Sequence, residues 1–444
     1  MKAVSPRGRV LGRVVIVVAL AFAVSGCSTI KGWFSGKDGD AKKAAEPAEL
    51  TKFTPSAGVS QVWKANAGKG EGRLGLAQGP VVADGRVYAA AVEGGVYAFD
   101  LQTGKEIWHY KPEKRQRGAS EASEASESAP VSEEASKEEK RLRKAMAKQA
   151  KKAAKEKQDW QFSGGPGAGD GLVVVGTLEG EVIALDAATG TEKWHAKVPN
   201  EVIAAPVIGQ GMVLVKANDG GVTAFDAATG ERKWFWNHEM PALTVRGNAP
   251  VTLAPGVVFS PNDDGTLAAL NLSNGAQVWS QTVADASGRS ELDRMADVDG
   301  PAVLDGTTLY ASSFKKETIA IEGPSGRVLW THENGGAGGV GVGASSVVVS
   351  DPAGTVWAMD KNTGGAMWSQ PVLARRSLTA PTVQGDYAVV GDYDGYVHWL
   401  KLDNGELAAR ERVGGEAIRA KPVVADGILI VQNVDGELTA FKLQ

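Results

Sequence analysis

The fold of this chain is decided by the stretch Asp186-Ala-Ala-Thr-Gly190-Thr-Glu-Lys-Trp194, because the stretch recurs along the sequence. Residues 226–234 repeat it almost unchanged, from Asp226 through Gly230 to Trp234. Further copies, in which the glycine follows four residues after the first position and the tryptophan eight after it, lie at residues 100–108, 271–279, 322–330 and 360–368. A unit that returns about every 40 residues indicates a repeat architecture.

The residues around one copy predict a four-stranded sheet. The β-branched runs Leu172-Val-Val-Val-Gly-Thr and Glu181-Val-Ile-Ala-Leu-Asp flank a short turn, and the strand with Trp194 follows. The Asp186 side chain can cap its own turn, and Gly190 can adopt a positive φ without steric cost. Four antiparallel strands per repeat, without crossover helices, predict a β-propeller blade. Each repeat tryptophan is therefore expected to pack on the neighbouring blade and not to bind a cofactor.

The two ends of the chain complement each other. Residues 421–443 contain three strands and stop before a tryptophan strand, whereas Val59-Ser-Gln-Val-Trp63-Lys resembles a tryptophan strand without its preceding glycine. We expect this N-terminal strand to complete the last blade and close the ring, which removes the exposed sheet edges. One further unit, residues 400–413, has Ala409 in place of the tryptophan. The prediction is an all-β, eight-bladed propeller of four-stranded antiparallel blades over residues 59–444, with seven blades as the alternative.

The N-terminus carries the features of an exported lipoprotein. Residues 1–26 combine basic residues with the apolar run from Val14 to Val24, as in a signal peptide. Val24-Ser-Gly-Cys27 resembles a bacterial lipobox, which predicts cleavage before Cys27, its lipidation, and a flexible tether over residues 27–58. Ser28, rather than Asp, indicates the outer membrane by the sorting rule of that class. Cys27 is the only cysteine, so no disulfide forms within the chain.

The charge distribution excludes some partners and leaves one segment open. Removal of residues 1–26, which hold four basic residues and no acidic one, changes the formal net charge from −4 to about −8 and argues against nucleic-acid binding. Residues 112–158 form a low-complexity charged insertion, acidic in its first half and basic in its second. We expect a solvated, partly helical excursion between two blades. A basic arm that touches a membrane surface or an acidic partner is the alternative.

Candidate catalytic and metal-binding patterns are weak. The five histidines do not cluster, and no metal-type spacing of His, Cys and carboxylates is present. Asp263-Asp-Gly265 and Asp392-Tyr-Asp-Gly395 are interpreted as hairpin turns rather than calcium loops. The repeat resembles that of quinoprotein alcohol dehydrogenases, but their adjacent cysteine pair cannot form with Cys27 alone. We therefore predict no enzyme activity, no cofactor and no metal, with a dehydrogenase-like propeller or a periplasmic ligand sensor as alternatives.

Two connections exceed the usual length between blades. They follow Trp234 and Trp279, and both mix apolar and charged side chains, which a connecting loop does not need. In up-and-down blades such connections leave on one face of the ring, at adjacent junctions. They are either a binding surface or two loops that pack against each other.

These connections resemble a known family. Met240-Pro-Ala-Leu-Thr-Val-Arg-Gly247, Glu291-Leu-Asp-Arg-Met-Ala-Asp-Val-Asp299 and Val390-Gly-Asp-Tyr-Asp-Gly-Tyr-Val-His-Trp399, together with the lipobox, are similar to motifs of the BamB family of outer-membrane assembly lipoproteins. The resemblance implies a non-catalytic scaffold, lipid-anchored on the periplasmic side of the outer membrane. It would bind the POTRA domains of BamA, within the β-barrel assembly machinery, and unfolded outer-membrane proteins are a further possible partner. The contacts implied by position are Leu243, Val245, Arg246, Asp297 and Asp299, although the family has leucine where Val245 stands.

Overall fold

The computed structural model describes residues 46–71, 74–76, 78–112, 115–116, 157–158, 161–244, 249–336 and 338–444. Within this set, residues 50–444 form one compact unit. The predicted signal peptide, Cys27 and most of the predicted tether lie outside the described residues and stay predictions. No helix among the described residues combines the length and the apolar character needed to cross a membrane.

Strands dominate the described part of the chain, and they follow one another in groups of four. The first strand is β1 (Val59–Asn66). Blade 1 consists of β2 (Val81–Ala83), β3 (Arg86–Ala91), β4 (Gly95–Asp100) and β5 (Glu106–Tyr110), and a short pair, β6 (Arg115–Gln116) and β7 (Lys157–Gln158), follows it. Blade 2 consists of β8 (Phe162–Gly169), β9 (Leu172–Thr177), β10 (Glu181–Asp186) and β11 (Glu192–Lys197). Blade 3 consists of β12 (Val207–Gly209), β13 (Met212–Lys216), β14 (Val222–Asp226) and β15 (Arg232–Trp236). Blade 4 consists of β16 (Thr252–Ala254), β17 (Val257–Pro261), β18 (Thr266–Asn271) and β19 (Gln277–Thr282).

The second half of the chain continues the pattern after a single helical turn, α1 (Glu291–Arg294). Blade 5 consists of β20 (Val303–Asp305), β21 (Thr308–Ser312), β22 (Thr318–Glu322) and β23 (Arg327–His332). Blade 6 consists of β24 (Val340–Val342), β25 (Ser346–Ser350), β26 (Val356–Asp360) and β27 (Ala366–Gln370). Blade 7 consists of β28 (Thr382–Gln384), β29 (Tyr387–Gly391), β30 (Tyr396–Lys401) and β31 (Leu407–Arg412). The last strands are β32 (Val423–Ala425), β33 (Ile428–Gln432) and β34 (Glu437–Leu443).

The blades form a closed ring. Each of the eight large sheets is antiparallel and four-stranded. The first strand of every blade contacts the first strands of both neighbouring blades, and β2 of blade 1 contacts β32, so the innermost strands complete a circle. The core lies between facing sheets, where the alternating inward residues of one blade pack on those of the next. The prediction of an eight-bladed propeller is confirmed, and the seven-bladed alternative is wrong.

Blade 8 is assembled from both ends of the chain, as the sequence predicts. Its strand order is β1-β34-β33-β32, with β1 antiparallel to β34 and Trp63 opposite Ala440. The residues just before β1 are also held: the backbone N–H groups of Ser56 and Ala57 donate to Ala408 O at 2.9 and 3.1 Å. In addition, the Arg410 guanidinium lies 5.1 Å from the centre of the Phe53 ring. The ring is therefore closed by main-chain pairing and not by packing alone.

The repeat tryptophans join neighbouring blades. The Trp194 indole N–H donates to Ala227 O of blade 3 at 2.8 Å, and a Cβ on Gly230 would lie only 2.7 Å from the same ring. Equivalent indole bonds link the following pairs: Trp63 to Leu101, Trp108 to Ala187, Trp234 to Leu272, Trp279 to Gly323, Trp330 to Lys361 and Trp368 to Leu402. Each tryptophan thus packs on the next blade, which confirms the interpretation that these residues are structural.

The predicted turn chemistry is also present. The Asp186 carboxylate accepts hydrogen bonds from the backbone N–H groups of Ala188 and Thr189, each at 3.0 Å, and Gly190 has φ +72°. A Cβ on Gly190 would lie 2.6 Å from the Trp108 ring of the preceding blade, so a side chain would not fit at this position.

Few residues of the charged insertion are described. At its two ends, β6 and β7 pair antiparallel, with Arg115 opposite Gln158 and Gln116 opposite Lys157. The insertion therefore leaves and re-enters the ring at one point between blades 1 and 2. The predicted partly helical character of residues 117–156 lies outside the described residues.

Candidate functional site

Two long loops and one hairpin turn form the candidate site. The first loop comprises residues 237–251 and joins β15 to β16, and the second loop comprises residues 283–302 and joins β19 to β20. Between them lies the central turn, residues 262–265, which connects β17 to β18 of blade 4. His238 of the first loop bonds to Asp264 at 2.8 Å, and Val298 N of the second loop donates to Asn262 O at 3.2 Å. Both loops therefore lie on the same face of the ring, as the strand order predicts.

The second loop is shaped by local capping and by anchors from blade 5. Helix α1 starts with a capping box, in which Ser290 Oγ accepts from Asp293 N and Asp293 Oδ2 accepts from Ser290 N, both at 3.2 Å. The Lys315 ammonium donates to Asp285 O at 2.7 Å, and Phe314 N donates to Asp297 O at 2.8 Å. These bonds explain why a loop with little regular structure holds a defined path.

The two loops expose apolar side chains. Leu243 of the first loop is 43% exposed, and Leu292 of helix α1 is 66% exposed. Leu243 is one of the five residues predicted from the sequence, whereas Leu292 was not predicted. The capping pattern Ser290-x-x-Asp293 was a signal for the helical turn that carries Leu292, but it did not indicate that the Leu292 side chain is exposed. Exposed leucines on ordered loops are typical anchors for a protein partner.

The predicted acidic contacts are not on the surface. Asp297 is fully buried and Asp299 is 8% exposed, although both belong to the second loop. Burial, followed by the charges of Asp297 and Asp263, raises the pKa of Asp299 to about 8. The other two predicted residues, Val245 and Arg246, lie outside the described residues. The structure thus brings the two aspartates together and places Leu243 on the same face, while the partner contacts themselves stay a prediction.

A third aspartate joins them. One carboxylate oxygen each from Asp263, Asp297 and Asp299 lies within 4.8 Å of the others. The side chain of Lys216, at the end of β13, is also buried, and its ammonium donates to Pro261 O beside these acids. The sequence interpretation of Asp263 as a turn residue is consistent with its place in the central turn, but it missed this cluster. No local pattern could reveal it, because the central turn and the second loop meet only in the folded ring.

The third motif quoted for the family resemblance forms a buried polar network in blade 7. The Asp392 carboxylate accepts from Arg376 Nε at 2.7 Å and from His398 Nε2 at 2.9 Å, while Arg410 Nε donates to His398 Nδ1 at 3.3 Å. This pattern requires a neutral His398 with its proton on Nε2. Burial lowers the pKa of His398, in agreement with that tautomer. The network thus joins Arg376, in the connection between blades 6 and 7, to the hairpin turn and outer strands of blade 7.

Comparisons with known proteins agree along the chain. Residues 47–135, 135–370 and 352–444 match the family model of outer membrane protein assembly factor BamB. The chain is 60% identical over 431 residues to the outer membrane protein assembly factor BamB of Xanthomonas campestris pv. campestris, with 97% of each chain covered.

Solved structures show the same architecture. The crystal structure of BamB from Moraxella catarrhalis, 25% identical, matches with a TM-score of 0.70 over 87% of this chain and 100% of that one. The quinohemoprotein alcohol dehydrogenase of Comamonas testosteroni, 16% identical, matches with a TM-score of 0.60 over 89% of this chain and 78% of that one, a likeness of fold alone. Since the family model and the Xanthomonas relative together span nearly the whole sequence, the chain belongs to the BamB family of outer membrane protein assembly factors.

Proposed function

We propose that this chain is a non-catalytic scaffold of the outer-membrane β-barrel assembly machinery, anchored by a lipid on Cys27. Its two loops would bind the POTRA domains of BamA on the periplasmic side. The single observation that carries the proposal is the pair of exposed leucines, Leu243 and Leu292, on two loops whose described residues meet at one turn. Such anchors, flanked by charged residues, suit a protein interface in which a few apolar side chains supply most of the affinity.

The proposal divides the predicted contacts into two roles. Leu243 and Leu292 would touch the partner, together with Val245 and Arg246, which follow Leu243 closely in the sequence. Asp297 and Asp299, within the second loop, are buried and would act indirectly, by holding that loop against blade 4. Truncation of an exposed leucine should therefore weaken partner binding while leaving the fold intact, because its side chain contributes little to the core.

The test is recovery of BamA from detergent-solubilised membranes on the tagged chain. We expect Leu243→Ala, Leu292→Ala and Arg246→Ala each to reduce the recovered BamA by about tenfold, the effect of losing about 1.4 kcal/mol of binding free energy. Val278→Ala is the matched control, since Val278 is 56% exposed on the outer strand of blade 4, away from the loops. Equal recovery with the loop variants and the control would refute the assigned surface.

A scaffold role also predicts the absence of turnover. The dehydrogenase alternative requires a bound quinone, whose absorbance would accompany the purified protein. The scaffold proposal expects no such absorbance and no effect of added pyrroloquinoline quinone on thermal stability. A saturable stabilisation by the quinone would instead favour the enzyme-like alternative.

A further inference from the structure

The segment just before β1, residues 50–57, lies along the outside of blade 7, and we call it the strap. The backbone N–H groups of Ser56 and Ala57 both donate to Ala408 O of β31, at 2.9 and 3.1 Å. At the other end of the strap, Leu50 is partly buried against the core cluster shared by blades 6 and 7. The strap therefore occupies the groove between the outer edges of these two blades.

The strap buries a position that other blades expose. Ala408 precedes Ala409, the residue of β31 that pairs with Trp399, and Ala408 is fully buried. The residues at the equivalent position of blades 1, 4, 5 and 6 are 41–56% exposed, and they are Ile107, Val278, Leu329 and Met367. Because these blades share the four-stranded antiparallel arrangement of blade 7, the difference in exposure is explained by the strap that covers β31.

One arginine, Arg410 of β31, links the strap to the interior of blade 7. Its Nη1 donates to Thr51 O at 3.1 Å, and its guanidinium lies 5.1 Å from the centre of the Phe53 ring. On its other side, Arg410 Nε donates to His398 Nδ1 at 3.3 Å, and His398 is itself bonded to Asp392. A guanidinium carries its donors in a rigid fork, so the bond to His398 orients the remaining N–H groups for the strap.

The direction of the strap decides on which face the preceding chain approaches the ring. β31 ends at the face that carries the two long loops, because the turn between β29 and β30 corresponds to the central turn of blade 4. From its end to its start, the strap passes from Ala408 to Arg410, and therefore toward this loop-bearing face. Without the strap, the tether would join the ring at Val59, where β1 begins on the opposite face.

We propose that the groove along β31 is a docking site for the strap, that Arg410 holds the strap there, and that this contact directs the tether to the loop-bearing face. The occupant is a segment of the same chain, so docking shortens the free tether from residues 28–58 to residues 28–49. A shorter tether that leaves from one face raises the local concentration of the loops near a membrane-bound partner. This last consequence rests on the proposed lipid anchor at Cys27, whereas the docking itself does not.

Trypsin cleavage after Lys52, an exposed residue of the strap, tests the docking. The full chain is isolated from membranes in detergent, and mass spectrometry follows its fragments, with cleavage after Lys43 of the predicted tether as the internal standard. We expect cleavage after Lys52 to be at least about tenfold slower than after Lys43, because a docked segment must open before a protease binds it. Equal rates at the two lysines would overturn the docking.

Substitutions test the role assigned to Arg410. Arg410→Met keeps a long side chain without its guanidinium, and it should bring cleavage after Lys52 to within about threefold of the rate after Lys43. Arg412→Met is the matched control, since Arg412 lies two residues further along β31 and bonds to Asp394, and its strap should stay protected. Protection that survives in Arg410→Met would overturn the role of this arginine.

A change in the strap itself keeps the test valid where a substitution in blade 7 impairs folding. Leu50→Ala removes the apolar contact with the cluster between blades 6 and 7 and leaves both sheets intact. This variant should keep the original melting temperature of the ring and yet be cleaved faster after Lys52. A cleavage rate after Lys52 that is unchanged in Leu50→Ala would overturn the placement of the strap in the groove.

Spin-label distances test the direction of the strap. In a chain with Cys27→Ser, one label at Thr51→Cys is paired with a second at Tyr393→Cys, in the turn on the loop-bearing face, or at Asn404→Cys, in the turn on the opposite face. We expect the shorter distance for the pair with position 393, and a broadened distribution for both pairs when Arg410→Met is added. A shorter distance to position 404 would overturn the assignment of the face. Since this chain lacks the lipidation site, the result does not depend on the proposed anchor.

Discussion

At the scale of single residues, the ring depends on contacts between a tryptophan and a glycine of the next blade. Gly230 has φ +73°, and its Cα faces the Trp194 ring so closely that a Cβ would lie 2.7 Å from Cδ2. The glycine is therefore required twice, for its backbone conformation and for the space it leaves. The spacing of the repeat predicted tryptophans between blades, but it did not identify the glycine as the surface they pack on.

Two glycine substitutions separate these requirements. Gly256→Ala, at φ +72° with no atom within 4 Å of its Cβ position, should lower the free energy of unfolding by about 1–2 kcal/mol through backbone strain alone. Gly230→Ala should cost about 1–3 kcal/mol more, because the methyl group also displaces the indole. Urea denaturation measures both values. Equal losses in the two variants would contradict the proposed packing role.

At the scale of the blade, a small residue faces each large one. In blades 1 to 6 an alanine of the third strand pairs with the tryptophan of the fourth, as Ala184 does with Trp194, and in blade 8 Ala440 pairs with Trp63. Blade 7 reverses the pair, with Trp399 on the third strand opposite Ala409 on the fourth. The reason is the junction between blades 7 and 8. A tryptophan on the fourth strand of one blade packs on the glycine turn between the third and fourth strands of the next blade. Blade 8 has no such turn, because its third and fourth strands come from opposite ends of the chain. The sequence showed that Ala409 was an exception but not that Trp399 compensates for it.

Restoring the repeat pattern in blade 7 should therefore destabilise the folded protein. Ala409→Trp would place an indole opposite Trp399, in a core cluster already packed by Ala57 and Val59. We expect the free energy of unfolding to fall by about 1–3 kcal/mol, the usual cost of overpacking. Ala408→Ser at the adjacent position would show how far the strand tolerates a small change. An unchanged or increased stability of Ala409→Trp in urea denaturation would contradict this account of the junction between blades 7 and 8.

At the scale of the whole molecule, closure of the ring is a property of the two chain ends. Among the described strands, β1 alone pairs with the outer edge of β34, and Trp63 joins blade 8 to Leu101 of blade 1. Removal of β1 would expose both an unpaired strand edge and an apolar face, the combination that promotes association between molecules.

Deletion of residues 28–66 tests this dependence. We expect the shortened chain to melt at least several degrees lower than the complete chain and to elute as oligomers in size-exclusion chromatography. Addition of a peptide with residues 50–66 should restore the monomer, because it supplies the missing strand in trans. Deletion of residues 28–45 alone, which keeps β1, is the control and should leave both measurements unchanged. A monomeric 28–66 deletion variant with the original melting temperature would contradict the dependence of ring closure on β1.

Whether a feature could be predicted from the sequence depends on how far apart along the chain its interacting residues lie. The blade pattern, the turn at Asp186 and the strand exchange at the termini depend on local periodicity, and all three were predictable. The position of Leu292 and the convergence of Asp263 with Asp297 and Asp299 depend on how two blades are juxtaposed. No spacing along the chain encodes that juxtaposition, so these features emerged only from the structure.

The antiparallel pairing of β6 and β7 has a consequence for how this protein tolerates changes in length. Because the two ends of the insertion pair with each other, we expect that residues 117–156 can be shortened or replaced by a foreign domain without altering the spacing of blades 1 and 2. The connection between blades 1 and 2 is thus a suitable insertion site for a fluorescent reporter domain that follows the protein in the envelope of living cells.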